Sequence, residues 1–338
     1  MVNPFTLVKR IFPKLPHCPR WLRLNPRLVF VGFGATSGVL AMEWAARFGF
    51  GLGRPPIYIA DPATEYRLAP NQSLRRFGHR IDINQFGMRS EPMSLSRPTS
   101  QRRLLVIGDS VVWGGAQLDQ RHIATELLRQ PGLEVANLGI PSWGPANQLA
   151  FLQQYGTFDA TDVVLVISSH DAADVPDSRP FMGIPDRPIR QPPSALAELI
   201  QRYGLPKLKQ ILPMLPWPSE PTDQPLPANG VDARALTSLD QLLTLLQGSG
   251  ARLSAVQHWE RDEIQLQPYP GHHAIAEVLK RHHIPVVQAG PLFRACGPME
   301  KLYTDSIHPY TTTGQACLAT AIRHAMNQAV TAATTPSP

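Results

Sequence analysis

Charge is scarce in this chain and unevenly placed. Only 17% of the 338 residues are Asp, Glu, Lys or Arg, and none of the first 27 is acidic. Lys9, Arg10, Lys14, Arg20, Arg23 and Arg27 carry the whole net charge of +6: without these six, the 32 basic residues become 26, equal to the 26 acids. A positive charge confined to one tail argues against a nucleic-acid surface. Cysteine is scarcer still. Three residues make no disulfide framework. Cys18 falls in the basic tail. Cys296 and Cys317 either pair in an oxidising compartment or remain two buried thiols.

Long apolar runs are also few. The main one, Leu28–Met42, has fifteen uncharged residues, short of the roughly 20 that a bilayer needs. Extended to Leu52 it is long enough, provided that Glu43 and Arg47 pair at i,i+4 near an interface, with Trp44 and Phe48 beside them. A cleaved signal peptide and a buried soluble helix are the other readings. A long basic n-region without a clean cleavage site favours an uncleaved signal anchor over 28–52, and the lopsided charge argues against the soluble helix. On that reading residues 1–27 are cytoplasmic and the bulk of the chain is extracytoplasmic, tethered to the inner membrane. Metal-ligand spacing is absent too. His258, His272, His273, His282 and His283 are joined by no thiol or carboxylate at suitable intervals and read as surface residues. No metal or organic cofactor is implied.

What is present is a rhythm. Residues 53–100 show short alternating runs and turn signals, which predict a small β-rich collar. From residue 101 strands and helices alternate: "LLVIG", "LEVANLG", "DVVLVISS", "RLSAVQHW" and "IPVVQAG", with helical spacing between them. Continuous apolar strands separated by helices predict a three-layer α/β/α domain over 101–330, built on a mostly parallel sheet. Residues 176–230 interrupt it with a proline-rich insertion, and 331–338 read as a disordered tail.

Polar clusters fall where strands end, which is where open parallel sheets bind ligands. They are Gly108-Asp109-Ser110, Asn137-Leu138-Gly139 and Ser168-Ser169-His170-Asp171. A fourth segment, "YTDSIHPYTTTGQA", holds Asp305 and His308. Taken alone, Ser110 reads as a helix cap. Taken together, the clusters offer a nucleophile in Ser110, a base in His308 and an orienting carboxylate in Asp305. The Ser110 and Gly139 N–H groups would face an oxyanion. Asp109 and Asp171 read as anchors of their loops. Trp113 and Trp143 would either stack on a sugar or pack in the core.

The four blocks, in this order, resemble the SGNH, or GDSL-type, hydrolase superfamily over roughly residues 101–330. "INQFGMRSE" ahead of the first strand is similar to membrane-anchored bacterial members. The resemblance implies a serine esterase acting on O-acyl, chiefly acetyl, esters of a polysaccharide or envelope glycan. Acyl transfer to a sugar is the alternative within that chemistry, and a weakly catalytic binding component the alternative outside it. The third block usually reads Gly-x-Asn-Asp, its asparagine donating to the oxyanion. His170 stands there instead, and either an imidazole N–H replaces that donor or the donor is lost.

Overall fold

The computed structural model describes residues 26–176, 183–184, 187–212 and 230–334. The basic tail to residue 25, with Cys18, lies outside the described residues, as do 213–229 of the proline-rich insertion and the last four positions.

Five strands form one parallel sheet: β5 (Arg102–Gly108), β6 (Leu133–Gly139), β7 (Asp162–Ile167), β8 (Arg252–Gln257) and β9 (Val286–Gln288), in the order β6-β5-β7-β8-β9. Alternate side chains serve opposite layers, as strand geometry demands. Leu105, Ile107, Val163 and Leu165 join one apolar cluster, and Leu104, Val106, Val164 and Val166 the other. Against the first layer pack α4 (Pro145–Tyr155), α7 (Ala233–Gly248) and α9 (Pro270–Arg281). Against the second pack α2 (Ser110–Trp113), α3 (Ala124–Leu127), α8 (Arg261–Gln265), α10 (Ala289–Cys296), α11 (Met299–Leu302) and α12 (Thr312–Thr334). Helix α12 runs on to Thr334, past the point where the sequence reads a tail. Apolar surface covered on both faces of the sheet is the main stabilising term. Cys296 and Cys317 form a disulfide that ties α10 to α12.

From β5 the chain moves outward to β6, then crosses over β5 to β7 and continues to β8 and β9, so its direction across the sheet reverses between β5 and β7. Such a switch point opens a crevice at the carboxyl ends of those strands.

Ahead of the sheet lie two antiparallel hairpins, β1 (Tyr58–Asp61) with β2 (Glu65–Leu68), and β3 (Gln72–Arg76) with β4 (His79–Ile83). Both reach the first layer's core through Tyr58, Tyr66, Leu68, Ile81 and Ile83. The first hairpin clasps the loop after β6. The Tyr66 hydroxyl donates to the Pro141 and Ser142 carbonyls at 2.9 and 3.0 Å, and the Trp143 indole N–H donates to the Tyr66 carbonyl at 3.0 Å. From the insertion come α5 (Ala195–Glu198) and α6 (Leu205–Ile211), joined by a π-helical turn. Arg76 of β3 meets Glu198 of α5 in a buried ion pair at 2.5 Å.

The expected transmembrane segment finds no support in the structure. Helix α1 (Pro26–Trp44) gives way to a π-helical turn at Ala45–Gly49, and no helix among the described residues is long and apolar enough to cross a membrane. Glu43 and Arg47 do pair, but for a local reason. The Glu43 carboxylate also accepts the backbone N–H groups of Ala195 and Leu196 at 2.9 and 3.0 Å, capping the start of α5. Ala46 and Leu52 then pack with Ala195. The charge that interrupts the apolar run therefore fastens α1 to the insertion.

Candidate active site

Strand β5 ends at Gly108 and the chain turns at once into α2. Asp109 takes the capping position, with its Oδ1 accepting the Val111 N–H at 2.8 Å. Ser110 is thus the first helical residue and not the cap. A capping serine would spend its hydroxyl on the backbone; here that work falls to the acid before it. The Ser110 hydroxyl is left to donate to His308 Nε2, at 2.8 Å.

His308 stands on the loop before α12. The Thr304 N–H closes that loop on the His308 carbonyl at 2.9 Å. Asp305 organises it from within: Oδ1 accepts the N–H groups of Ile307 and His308 at 2.8 Å each, and Oδ2 accepts His308 Nδ1–H at 2.8 Å. A proton held on Nδ1 leaves Nε2 as the acceptor, which is the tautomer a base needs. Burial alone would raise the Asp305 carboxyl, but the His308 ring and the two N–H groups outweigh it and hold it at about 2. Ser110, His308 and Asp305 therefore form a continuous hydrogen-bonded chain. It opens on a cleft of about 550 Å³ whose walls include Trp113, Ser142, Arg187 and Tyr310.

Of the expected oxyanion donors, only the Ser110 N–H has no intramolecular acceptor among the described residues. Gly139 is corrected: its N–H donates to its own loop's Asn137 Oδ1 at 2.9 Å. The glycine serves packing instead, since a Cβ there would lie 2.5 Å from the Trp113 nitrogen. His170 is corrected as well. It lies on the 3-10 turn Ser169–Ala172 after β7, with Nε2 2.8 Å from Asp109 Oδ2 and Nδ1 3.1 Å from Glu260 Oε1. Both ring nitrogens face carboxylates, so neither N–H is left for an oxyanion. Burial works against a charged ring, yet the Asp109 and Glu260 carboxylates prevail and raise His170 well above its ordinary value. The same contact, against burial, lowers Asp109. An imidazolium between two carboxylates is the resulting state.

Asp171 accepts the Ser168 N–H at 2.7 Å and closes the turn. Burial raises its carboxyl well above the usual range. Asp109, His170 and Asp171 each bring one potential ligand atom within 4.8 Å of the others. With both His170 nitrogens committed to carboxylates, the group is an ion-pair network in this arrangement.

The tryptophans divide. Trp113 lines the cleft but is only 4% exposed, with the Arg89 guanidinium 4.9 Å from its ring centre. Trp143 is fully buried and packs on Phe151, which removes it as a stacking surface. His258 and His272 are also buried, correcting their reading as surface residues, and burial pushes each down to about 4.

Two residues at the site carry no sequence signal of their own. Tyr310 donates its hydroxyl to the Ser110 carbonyl at 2.7 Å and stacks on His308 with ring centres 4.5 Å apart. Arg89, buried, donates to the carbonyls of Trp113, Gly115 and Leu118 at 2.9, 2.7 and 2.7 Å, and so fixes the loop behind the nucleophile. The only hint of the first is its place two positions after His308, and of the second an arginine in the "FGMRSE" turn.

No family model matches the chain, and no curated protein does. Solved structures do. The psychrotrophic esterase EstA from Pseudoalteromonas sp. is 13% identical, with a TM-score of 0.40 over 68% of this chain and all of that one. A member of the lipolytic protein G-D-S-L family from Veillonella parvula is 11% identical, with a TM-score of 0.40 over 67% of this chain and 99% of that one. The acetyl xylan esterase AlAXEase is 12% identical, with a TM-score of 0.42 over 66% of this chain and 98% of that one. The chain is similar to GDSL-type lipolytic proteins and esterases of known structure.

Proposed function

We propose that the protein is a serine ester hydrolase acting on O-acyl esters of a glycan. The observation that carries this reading is the chain Ser110 Oγ, His308 Nε2 and Nδ1, Asp305 Oδ2, with 2.8 Å at each link. In this reading His308 takes the hydroxyl proton as Ser110 attacks the acyl carbon. Collapse of the tetrahedral intermediate expels the sugar alkoxide, which takes the proton from His308. Water, deprotonated by His308, then attacks the acyl-enzyme, and the second tetrahedral intermediate expels Ser110 Oγ, which takes the proton back from His308 as the acid leaves. The Ser110 N–H supplies one oxyanion donor. Ser142 supplies the second in place of Gly139. It stands in the cleft wall with φ at 60°, and its N–H has no intramolecular acceptor among the described residues.

The Cys296–Cys317 disulfide supports an extracytoplasmic setting, since such bonds persist in oxidising compartments. An open cleft edged by Phe77 and Tyr203 suits a sugar better than a long acyl chain, because aromatic rims stack on pyranose faces.

The test is covalent labelling. A fluorophosphonate is expected to modify Ser110, and Ser110→Ala to abolish both the label and 4-nitrophenyl acetate hydrolysis without loss of fold. Labelling elsewhere, or none, refutes the reading.

A further inference from the structure

We infer that His170 is a positioning residue of the nucleophile: its imidazolium occupies the Asp109 carboxylate, which would otherwise draw the Ser110 hydroxyl away from His308. This rests on the serine hydrolase reading above, and adds to it a second hydrogen-bonded chain behind the serine.

The Ser110 hydroxyl has two acceptors within reach. His308 Nε2 lies 2.8 Å from Oγ, and Asp109 Oδ2 lies 3.4 Å from it. A serine has one hydroxyl proton to donate. Only donation to His308 leads to a nucleophile. Against burial, the His170 contact lowers the Asp109 carboxyl, which makes it a poor base.

Asp109 Oδ2 is the pivot. The oxygen that reaches Ser110 is the one 2.8 Å from His170 Nε2, while Oδ1 is taken by the Val111 N–H. Asp109 is buried, so these partners and not bulk water answer its charge. A hydrogen bond from an imidazolium is stronger than one from a neutral ring. With the ring charged, Oδ2 is held and the Ser110 hydroxyl turns to His308. With the ring neutral, one N–H serves two carboxylates, Asp109 and Glu260. Asp109 then gains by accepting the Ser110 O–H, and the base loses it. Neither the fold nor the cleft has to change for the rate to fall.

The ring is faced by Asp109 from the β5–α2 turn, by Glu260 from the loop ahead of α8, by Asp171 from its own turn, by Asp174 just after it, and by His258 at the end of β8. Glu263 stands one residue further off, accepting the Ser169 hydroxyl. His308 and Tyr310 face Asp109 from the loop before α12. Burial keeps His258 neutral and raises Tyr310 well above its ordinary value. Among the described residues, Glu260 is the carboxylate that bonds the ring without also reaching Ser110. A change at Glu260 therefore reaches the nucleophile through His170.

The test is the pH profile of 4-nitrophenyl acetate turnover by the full-length protein, with intrinsic fluorescence reporting at each pH that it stays folded. The native profile should rise as His308 loses its proton, and fall again at alkaline pH as His170 loses its own. Glu260→Gln should move the alkaline fall down by about one pH unit and leave the acid rise in place. The rate at which a fluorophosphonate labels Ser110 should follow the same profiles. Asp109→Asn removes the competing charge and keeps an oxygen for the Val111 N–H, so its profile should be level above the acid rise. A ring that only supported the fold would lower the rate at every pH alike. Superimposable native and Glu260→Gln profiles overturn the assignment, while turnover upholds the hydrolase. An alkaline fall that persists in folded Asp109→Asn overturns it equally. If Asp109→Asn does not fold, Glu260→Gln decides. An enzyme inert to aryl acetate and to fluorophosphonate at every pH overturns the hydrolase reading, and this assignment with it.

Discussion

His170 and Asp109, from the ends of two adjacent strands, share a hydrogen bond of 2.8 Å directly behind the nucleophile. The other side of the same ring meets Glu260 at 3.1 Å. Removing the imidazole would leave two buried carboxylates facing each other without a cation, and asparagine has no charge to offer them. His170→Asn is therefore expected to destabilise the fold by about 3 kcal/mol, the usual cost of breaking a buried pair from one side. Urea denaturation at neutral pH measures it. Stability within the error of the native protein would show that the two carboxylates need no cation.

The pH dependence follows with a definite sign. The folded value of His170 lies above its unfolded one, because two carboxylates favour the charged ring. Its contribution to stability is then complete below the unfolded value of about 6.5 and is lost as pH rises through the folded value. Glu260→Gln removes one of the two carboxylates, so the alkaline loss should begin at lower pH than in the native protein. Asp171 and Asp174, which burial raises, the latter to about 7, face the same ring and are present in both proteins, so the difference between the two curves is the quantity read. Denaturation midpoints across the neutral and alkaline range check this. Parallel curves would mean that Glu260 does not act on the ring.

Asp305 separates catalysis from stability. Its carboxyl is held at about 2, so its stabilising effect is present above the unfolded value and is lost only as pH falls toward 2. The side chain is 51% exposed, and solvent screening keeps that effect small. Asp305→Asn keeps an oxygen for the Ile307 and His308 N–H groups but favours the wrong His308 tautomer. The expected result is a fall in kcat of about 10⁴-fold with little change in thermal midpoint. A rate near that of the native enzyme would remove Asp305 from the reaction.

The parts of this site that were legible in the sequence are those fixed by short spacing. Asp305 and His308 are three positions apart on one tight loop, and Ser110 follows a strand that runs out of apolar residues. Partners that meet only through the fold were not legible. Glu260 lies 90 positions beyond His170, and the two come together because β7 and β8 are neighbours. Gly139 was readable as a position that needs a small residue, but the neighbour it makes room for is a helix and not a ligand. Glu43 shows the same limit. A charge that ends an apolar run has one appearance in sequence whether it meets a headgroup or caps α5.

Arg89 gives the sharpest test of how the nucleophile loop is held. Its guanidinium is buried, with three backbone carbonyls as acceptors, and burial pushes it down to about 10. Three carbonyls in different directions suit the planar fork of arginine and not the single point of an ammonium. Arg89→Lys should therefore leave at least one buried carbonyl unpaired and cost about 2 kcal/mol. Trp113, Gly115, Ala116 and Gln117 of the same loop also line the cleft, so displacement there should reach the substrate. A fall in kcat/KM of about tenfold, with fluorophosphonate labelling of Ser110 slowed but not lost, is the expected pattern. Full activity from a lysine variant of lowered stability would show that Arg89 secures the fold without setting the loop's position.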